Sequence, residues 1–308
     1  MSTKLREVCC ERKRNLHEYP LVRDFLAEAL GTFILLVFGQ GSVAQFVLSG
    51  GQSGSMMSIH WSWGIGVMMG VYVAGGISGG HLNPAVTIAQ AFLGRLYWIK
   101  VPVYIIAQYV GSFLGSLCVY LVYTDALNAF DGGVRTVDPP TGTAGIWCTF
   151  PRPEVSTWNC FGDQVFSTGI LLICIMAITD KKNMAPASGL APISIGFVVF
   201  VIGMTFGHNC GYAINPARDL APRIFTLMAG WGTGVFSYRN FNYFWVPVMG
   251  PHIGAILGCF IYKFCVGYHW PDEGVIKDEA EEIMLNDCEG STVRPADEID
   301  GDVHEYHA

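Results

Sequence analysis

Apolar residues in this chain gather in long runs. They show neither the alternation of half-buried strands nor the narrow stripe of a surface helix. Six runs approach the ~20 residues that a helix needs to cross a bilayer. They cover 25–48, 59–77, 101–123, 163–179, 190–208 and 243–267. Two shorter apolar stretches, 82–93 and 215–228, are too short to cross alone. Both begin at Asn-Pro-Ala: once in SGGHLNPAVT (78–87), and again in YAINPARD (212–219).

The two sites belong to an internal repeat. AEALGTFILL (27–36) aligns with DQVFSTGILL (163–172), pairing Glu28 with Gln164 and Thr32 with Thr168. Each half reads as span, span, short half-helix, span. Three crossings per half place the second half upside down, and such inverted repeats put sites near the midplane on broken helices. Pro at the first helical turn has no amide to leave unpaired, and Asn is favoured just before it. Asn83-Pro84 and Asn215-Pro216 are therefore expected to open half-helices that enter from opposite faces and meet N-terminus to N-terminus. Two positive dipole ends then face each other. Irregular backbone before each site is tolerated at that depth only where it lines a wet cavity. Exposed carbonyls leading to two asparagine amides suit a neutral hydroxylic molecule, and the dipole ends oppose a cation.

Composition agrees with a membrane protein: 51% hydrophobic residues, only 14% charged, mean hydropathy +0.38, against about 25% charged in soluble domains. The net charge of −7 comes from one end. Residues 271–308 hold 13 of the 25 acidic residues and 2 of the 18 basic ones, leaving 12 acids against 16 bases elsewhere. That tail lacks apolar periodicity and reads as a disordered segment, either simply solvated or a partner site. Lys4, Arg6, Arg12, Lys13, Arg14 and Arg23 precede the first span. Arg95 and Lys100, Lys181 and Lys182, and Lys263 and Lys277 fall on the same side if there are six crossings. The positive-inside rule then makes both termini cytoplasmic. Residues 1–20 show no cleavable signal. Ten cysteines include no CxxC pair; Cys148 and Cys160 share the outer loop, where a bridge between them is one reading and two free thiols the other.

GHLNPAVT and NPARD, at this separation in a six-span chain, resemble the major intrinsic proteins, and within them the aquaglyceroporins. The resemblance covers about 22–268, with Gly80 where the family often has Ala. It implies an all-α membrane fold, aquaporin-like: six transmembrane helices plus two re-entrant half-helices in an inverted 3+3 repeat. The expected divisions are a cytoplasmic tail 1–21, a channel domain 22–268 (repeats about 22–123 and 161–268, outer loop 124–160) and an acidic cytoplasmic tail 269–308. The implied pore midplane is Asn83 and Asn215. The implied outer filter is Trp63, Gly203, Tyr212 and Arg218: an apolar corner for the CH face of a polyol, a donor fork for its hydroxyls, and room left by glycine. Asp219, with Arg223 four residues on, and Pro247-Val248 late in the last span mark the glycerol-conducting branch. His81 reads as a hydrogen-bonded support of the half-helix, and Glu28 and Gln164 as braces of the re-entrant backbone. The resemblance implies passage of glycerol, water, urea and small polyols, a homotetramer in the lipid bilayer of the plasma membrane, and no cofactor, metal or nucleic acid.

Two other functional classes share features of this sequence. An intramembrane enzyme needs a nucleophile–base pair or a metal cluster, and no His-Glu-x-x-His occurs. A secondary transporter shares inverted repeats and broken helices but usually carries coupling carboxylates in mid-span, where this chain has only Glu28, with Asp163 at the end of a span.

Overall fold

The computed structural model describes residues 18–138, 140–187 and 189–271, and among them every regular element is helical. In chain order the α-helices are α1 (Pro20–Leu48), α2 (Met56–Ser78), α3 (Pro84–Phe92), α4 (Val101–Val122), α5 (Thr124–Asp131), α6 (Thr157–Thr179), α7 (Ala191–Cys210), α8 (Pro216–Thr226), α9 (Gly234–Phe241) and α10 (Val246–Tyr262). The two tail assignments lie almost wholly outside the described residues. The chain up to Phe264 forms one compact unit; of the second unit, from Cys265 on, only residues 265–271 are described.

Six helices are long, and α3 and α8 are the two half-helices expected from the Asn-Pro-Ala sites. Four segments are both long and apolar enough to cross a bilayer: Trp98–Val122, Thr157–Thr179, Ala191–Cys210 and Val246–Gly267. The other two, α1 and α2, have the length, with 29 and 23 residues, but interleave polar and small residues. Several helix ends extend beyond the apolar runs, while α10 starts three residues inside its run. Helix α6 starts at Thr157 rather than 163, because Ser156 caps it by accepting from the Asn159 amide. Hydropathy marks the buried length of a helix, and capping sets its end. Pro247 lies at the start of α10, not late in it as the resemblance suggested, where its missing N–H is harmless.

The packing repeats itself. Helix α1 lies against α2 and α4, and α6 against α7 and α10. The half-helices cross over: α3 packs on α10, and α8 packs on α4. Each half therefore inserts its half-helix into the other. Gly111 on α4 sits against the Ala29 carbonyl of α1, and Gly254 on α10 against the Val165 carbonyl of α6. A β-carbon at either position would collide with backbone, so only glycine permits these approaches. Gly64 and Gly196 make a reciprocal contact that joins α2 to α7 across the halves.

Candidate functional site

The half-helices meet through their caps. Asn83 is the N-cap of α3, its Oδ1 accepting from the Ala85 amide at 2.9 Å. Asn215 caps α8 in the same way, accepting from Ala217 at 3.0 Å and Arg218 at 3.3 Å. The amide nitrogens cross over: Asn83 Nδ2 donates to Ile214 O and Asn215 Nδ2 donates to Leu82 O, both at 2.8 Å. An asparagine amide has two N–H groups. One of each is spent locking the opposite loop, and the second remains for the cavity that both residues line. The last carbonyl of each loop is therefore committed to this lock rather than free as an acceptor.

Residues 82 and 214, just before the two caps, hold an unfavourable backbone. Leu82 has φ 54° and Ile214 φ 43°, and a β-branched residue there is an outlier. Such conformations cost about 1–3 kcal/mol each and need support from their surroundings. The repeat supplies it at equivalent positions. Glu28 Oε2 accepts from the Leu82 amide at 2.8 Å, and Gln164 Oε1 accepts from the Ile214 amide at 2.9 Å. Glu28 also accepts from the His81 amide (2.9 Å), Ser78 Oγ (2.5 Å) and Gln108 Nε2 (2.8 Å). The aligned threonines match as well: Thr32 and Thr168 each donate to the carbonyl four residues back, Glu28 and Gln164 respectively, at 2.7 Å. His81 Nδ1 is 3.2 Å from Thr87 Oγ1, beside the first turn of α3, and the residue also lines the cavity.

Beyond the asparagines, in the first turn of α8, stands Arg218. Its guanidinium carbon lies 4.1 Å from the centroid of the Trp63 ring, a cation–π distance. Its Nη1 donates to Trp147 O at 3.2 Å. Trp63 thus holds the cation against its ring and also lines the cavity. Tyr212 lines the same end, with its hydroxyl 2.9 Å from His60 Nδ1. Gly203 is not among the lining residues. A β-carbon on it would come within 2.8 Å of both His60 Nδ1 and Tyr212 Cζ. The space that Gly203 leaves is taken by Tyr212 and His60, so it reaches a solute only through where those rings lie.

Asp219 does not face the cavity. Its Oδ1 accepts from Arg223 Nε (3.0 Å) and Nη2 (2.8 Å) in a wholly buried ion pair. Its Oδ2 accepts from the amide (2.7 Å) and hydroxyl (2.6 Å) of Thr149. That bond fixes a stretch the sequence reading treated as a connector. Residues 143–149 are folded in, and Trp147 is the largest fully buried side chain, set among Trp231, Phe225 and Tyr120. Its carbonyl accepts from Gln40 Nε2 (3.2 Å) as well as from Arg218. No sequence motif marks Trp147, Thr149, His60 or Gln108; only their burial in contact with the motifs identifies them. Cys148 and Cys160 are both buried free thiols and do not bridge; Cys160 packs with Cys210, Tyr243 and Val246.

These residues bound a cavity of about 310 Å³. Trp63, Tyr212 and Arg218 line it on one side of the asparagine pair, and Gln90, Arg95 and Thr179 on the other, with Val71, Leu171 and Val199 among its apolar walls. Glu28, Gln164 and Asp219 stand behind the lining. The donors thus lie among apolar wall residues, an arrangement fitted to a small neutral molecule with one polar and one apolar side.

Comparison with known proteins agrees with this geometry. The profile described as Major intrinsic protein matches residues 15–262. Aquaporin-10 of Milnesium tardigradum is 52% identical over 263 residues, covering 82% of this chain and 64% of that protein, so the chain spans under two thirds of that relative. Human aquaporin-9 is 45% identical over 272 residues, covering 88% of this chain and 92% of that protein. The X-ray structure of the aquaglyceroporin from Plasmodium falciparum superposes with a TM-score of 0.72 at 34% identity, covering 80% of this chain and 97% of that one.

Proposed function

The chain belongs to the major intrinsic protein family, and on that premise we propose that it is a passive membrane channel for glycerol and water, with urea and other small neutral solutes, that excludes ions and protons. The carrying observation is the single cavity that has a spare amide N–H from each of Asn83 and Asn215 and, beyond them, the fork of Arg218. A polyol in it turns its hydroxyls to these donors and its CH groups to the apolar wall. Trp63, Tyr212 and Arg218 form the filter in this reading, and Gly203 acts by seating Tyr212. Charge exclusion follows from Arg218 and from two half-helix N-termini, each equivalent to roughly half an elementary charge. The same reading gives a homotetramer with one pore per chain, in the plasma membrane, with both termini cytoplasmic.

The transporter reading asks for a carboxylate free to couple an ion. Glu28 is occupied by four donors. Asp163 accepts from Asn209 Nδ2 (2.7 Å), from Gln164 Nε2 (3.3 Å) and from Ser167 Oγ (3.1 Å). Neither acid lines the cavity, which favours passive flow. The test is stopped-flow swelling of vesicles reconstituted with the full chain. Glycerol flux proportional to its gradient and indifferent to ion gradients is expected. Saturating flux driven by a proton or sodium gradient would overturn the channel reading.

A further inference from the structure

Resting on that channel reading, we propose that Arg95 is a second charge-selectivity residue, whose guanidinium guards the end of the cavity opposite Arg218 against small cations.

The placement follows from the half-helices. They run in opposite directions from the asparagine pair. Arg218 stands in the first turn of α8, on one side. Helix α3 runs the other way for nine residues, ~14 Å at 1.5 Å per residue. Its end then folds back: Gly94 takes a left-handed φ of 71°, and the Arg95 amide donates to Gln90 O at 2.9 Å. A glycine in this conformation is the ordinary way to close a helix end. Here it returns the following arginine to the cavity wall, which Arg95 lines together with Gln90 and Thr179.

Among the described residues no carboxylate pairs with this charge. Arg95 Nη1 approaches Met176 Sδ at 3.4 Å and Thr179 Oγ1 at 3.5 Å, two weak partners that aim the head group without cancelling its charge. The ion pairs among the described residues use Arg23, Lys100, Arg135 and Arg223, not Arg95. Lys100, five residues on, illustrates the contrast, since it is held by Asp24 at 2.6 Å. The neighbouring acid Asp180, the residue that follows α6, accepts from Tyr262 Oη and the Lys182 amide, both at 3.0 Å.

The repeat explains why a second arginine is needed. Arg218 lies three residues after Asn215. Three residues after Asn83 stands Val86, which lines the cavity and carries no charge. Inverted symmetry alone would thus leave one end without a fixed cation. Arg95, twelve residues after Asn83, fills that end; the equivalent place in the second half is Leu227.

The experiment compares Arg218→Val, Arg218→Val/Arg95→Met and Arg218→Val/Arg95→Lys in the full chain, reading sodium current under voltage clamp against glycerol uptake in the same cells. Arg95 is exposed, so water and salt screen it; a unit charge ~10 Å away at an effective dielectric of ~40 changes the chance of a cation being present by about fourfold. The ratio of current to glycerol uptake should therefore rise about fourfold from the single variant to the Met double, and return to the single-variant value with Lys. If the Met double takes up no glycerol, Gln replaces Met and the same ratio is read. A glycerol-conducting double with an unchanged ratio, or a Lys variant as leaky as Met, overturns the proposal. Native chain that takes up no glycerol refutes the channel reading instead, a distinct result.

Discussion

Replacing Gly203 tests how space is allocated at the narrow end of the cavity. A β-carbon at 203 would lie 2.8 Å from Tyr212 Cζ and 2.9 Å from its hydroxyl. Non-bonded carbons prefer about 3.5–4.0 Å, so Gly203→Ala requires a displacement of roughly 0.7 Å or more. Tyr212 lines the cavity, so a ring pushed away from residue 203 takes space from it. Gly203→His adds an imidazole to the same volume and breaks the Tyr212–His60 contact. Overpacking of a well-filled site costs about 1–3 kcal/mol. Borne by the wider solute in transit, this slows glycerol by about 5- to 150-fold. Water, smaller, should lose much less. The assay is paired water and glycerol permeability on the same vesicles, for Gly, Ala and His at 203. Graded loss of glycerol with water largely kept is the expected result. Equal losses, or glycerol unchanged in the His variant, would show that the Tyr212 ring does not set the width.

Glu28→Ala removes the acceptor of two buried backbone amides, His81 and Leu82, costing about 2–6 kcal/mol at 1–3 kcal/mol per orphaned group. Gln164→Ala orphans one, Ile214, so its unfolding midpoint in detergent should fall by clearly less; an equal or larger fall would contradict the bracing argument. Asp219→Ala leaves Arg223 buried without its partner, a loss of about 3–5 kcal/mol, and frees Thr149. Because that loop carries the Trp147 carbonyl bound by Arg218, any protein recovered should also leak cations, and intact selectivity in a folded Asp219→Ala would break the proposed link. Cys148 and Cys160 should stay unlabelled by an impermeant maleimide on intact cells, whereas Glu154→Cys, exposed in the same stretch, should label from outside. Labelling of Glu154→Cys only after permeabilisation would invert the topology.

Elements with a local code were legible from sequence. Proline fixes its own φ, and asparagine caps the amides that follow it, so each Asn-Pro-Ala announces a half-helix wherever it occurs; α3 and α8 start where that code says. The repeat was equally legible, since Glu28 and Gln164 act on the two equivalent strained residues. Long apolar runs located six long helices but not their ends, because a capped polar turn leaves no hydropathic mark. The remaining features depend on contacts between distant residues, and no local pattern records those. Gly203 signals an absent side chain but not which neighbour fills the gap; His60 and Tyr212 do so from positions 152 residues apart in the chain. Residues 143–149 lie in what the sequence marks only as an outer loop; Asp219 and a cluster of tryptophan and phenylalanine draw them inward. Arg95 in the sequence is one basic residue of a loop, equally suited to facing headgroups. Only the fold-back at Gly94 and the wall of α6 turn its charge toward the cavity, because side-chain direction is set by the tertiary surface against which the residue packs.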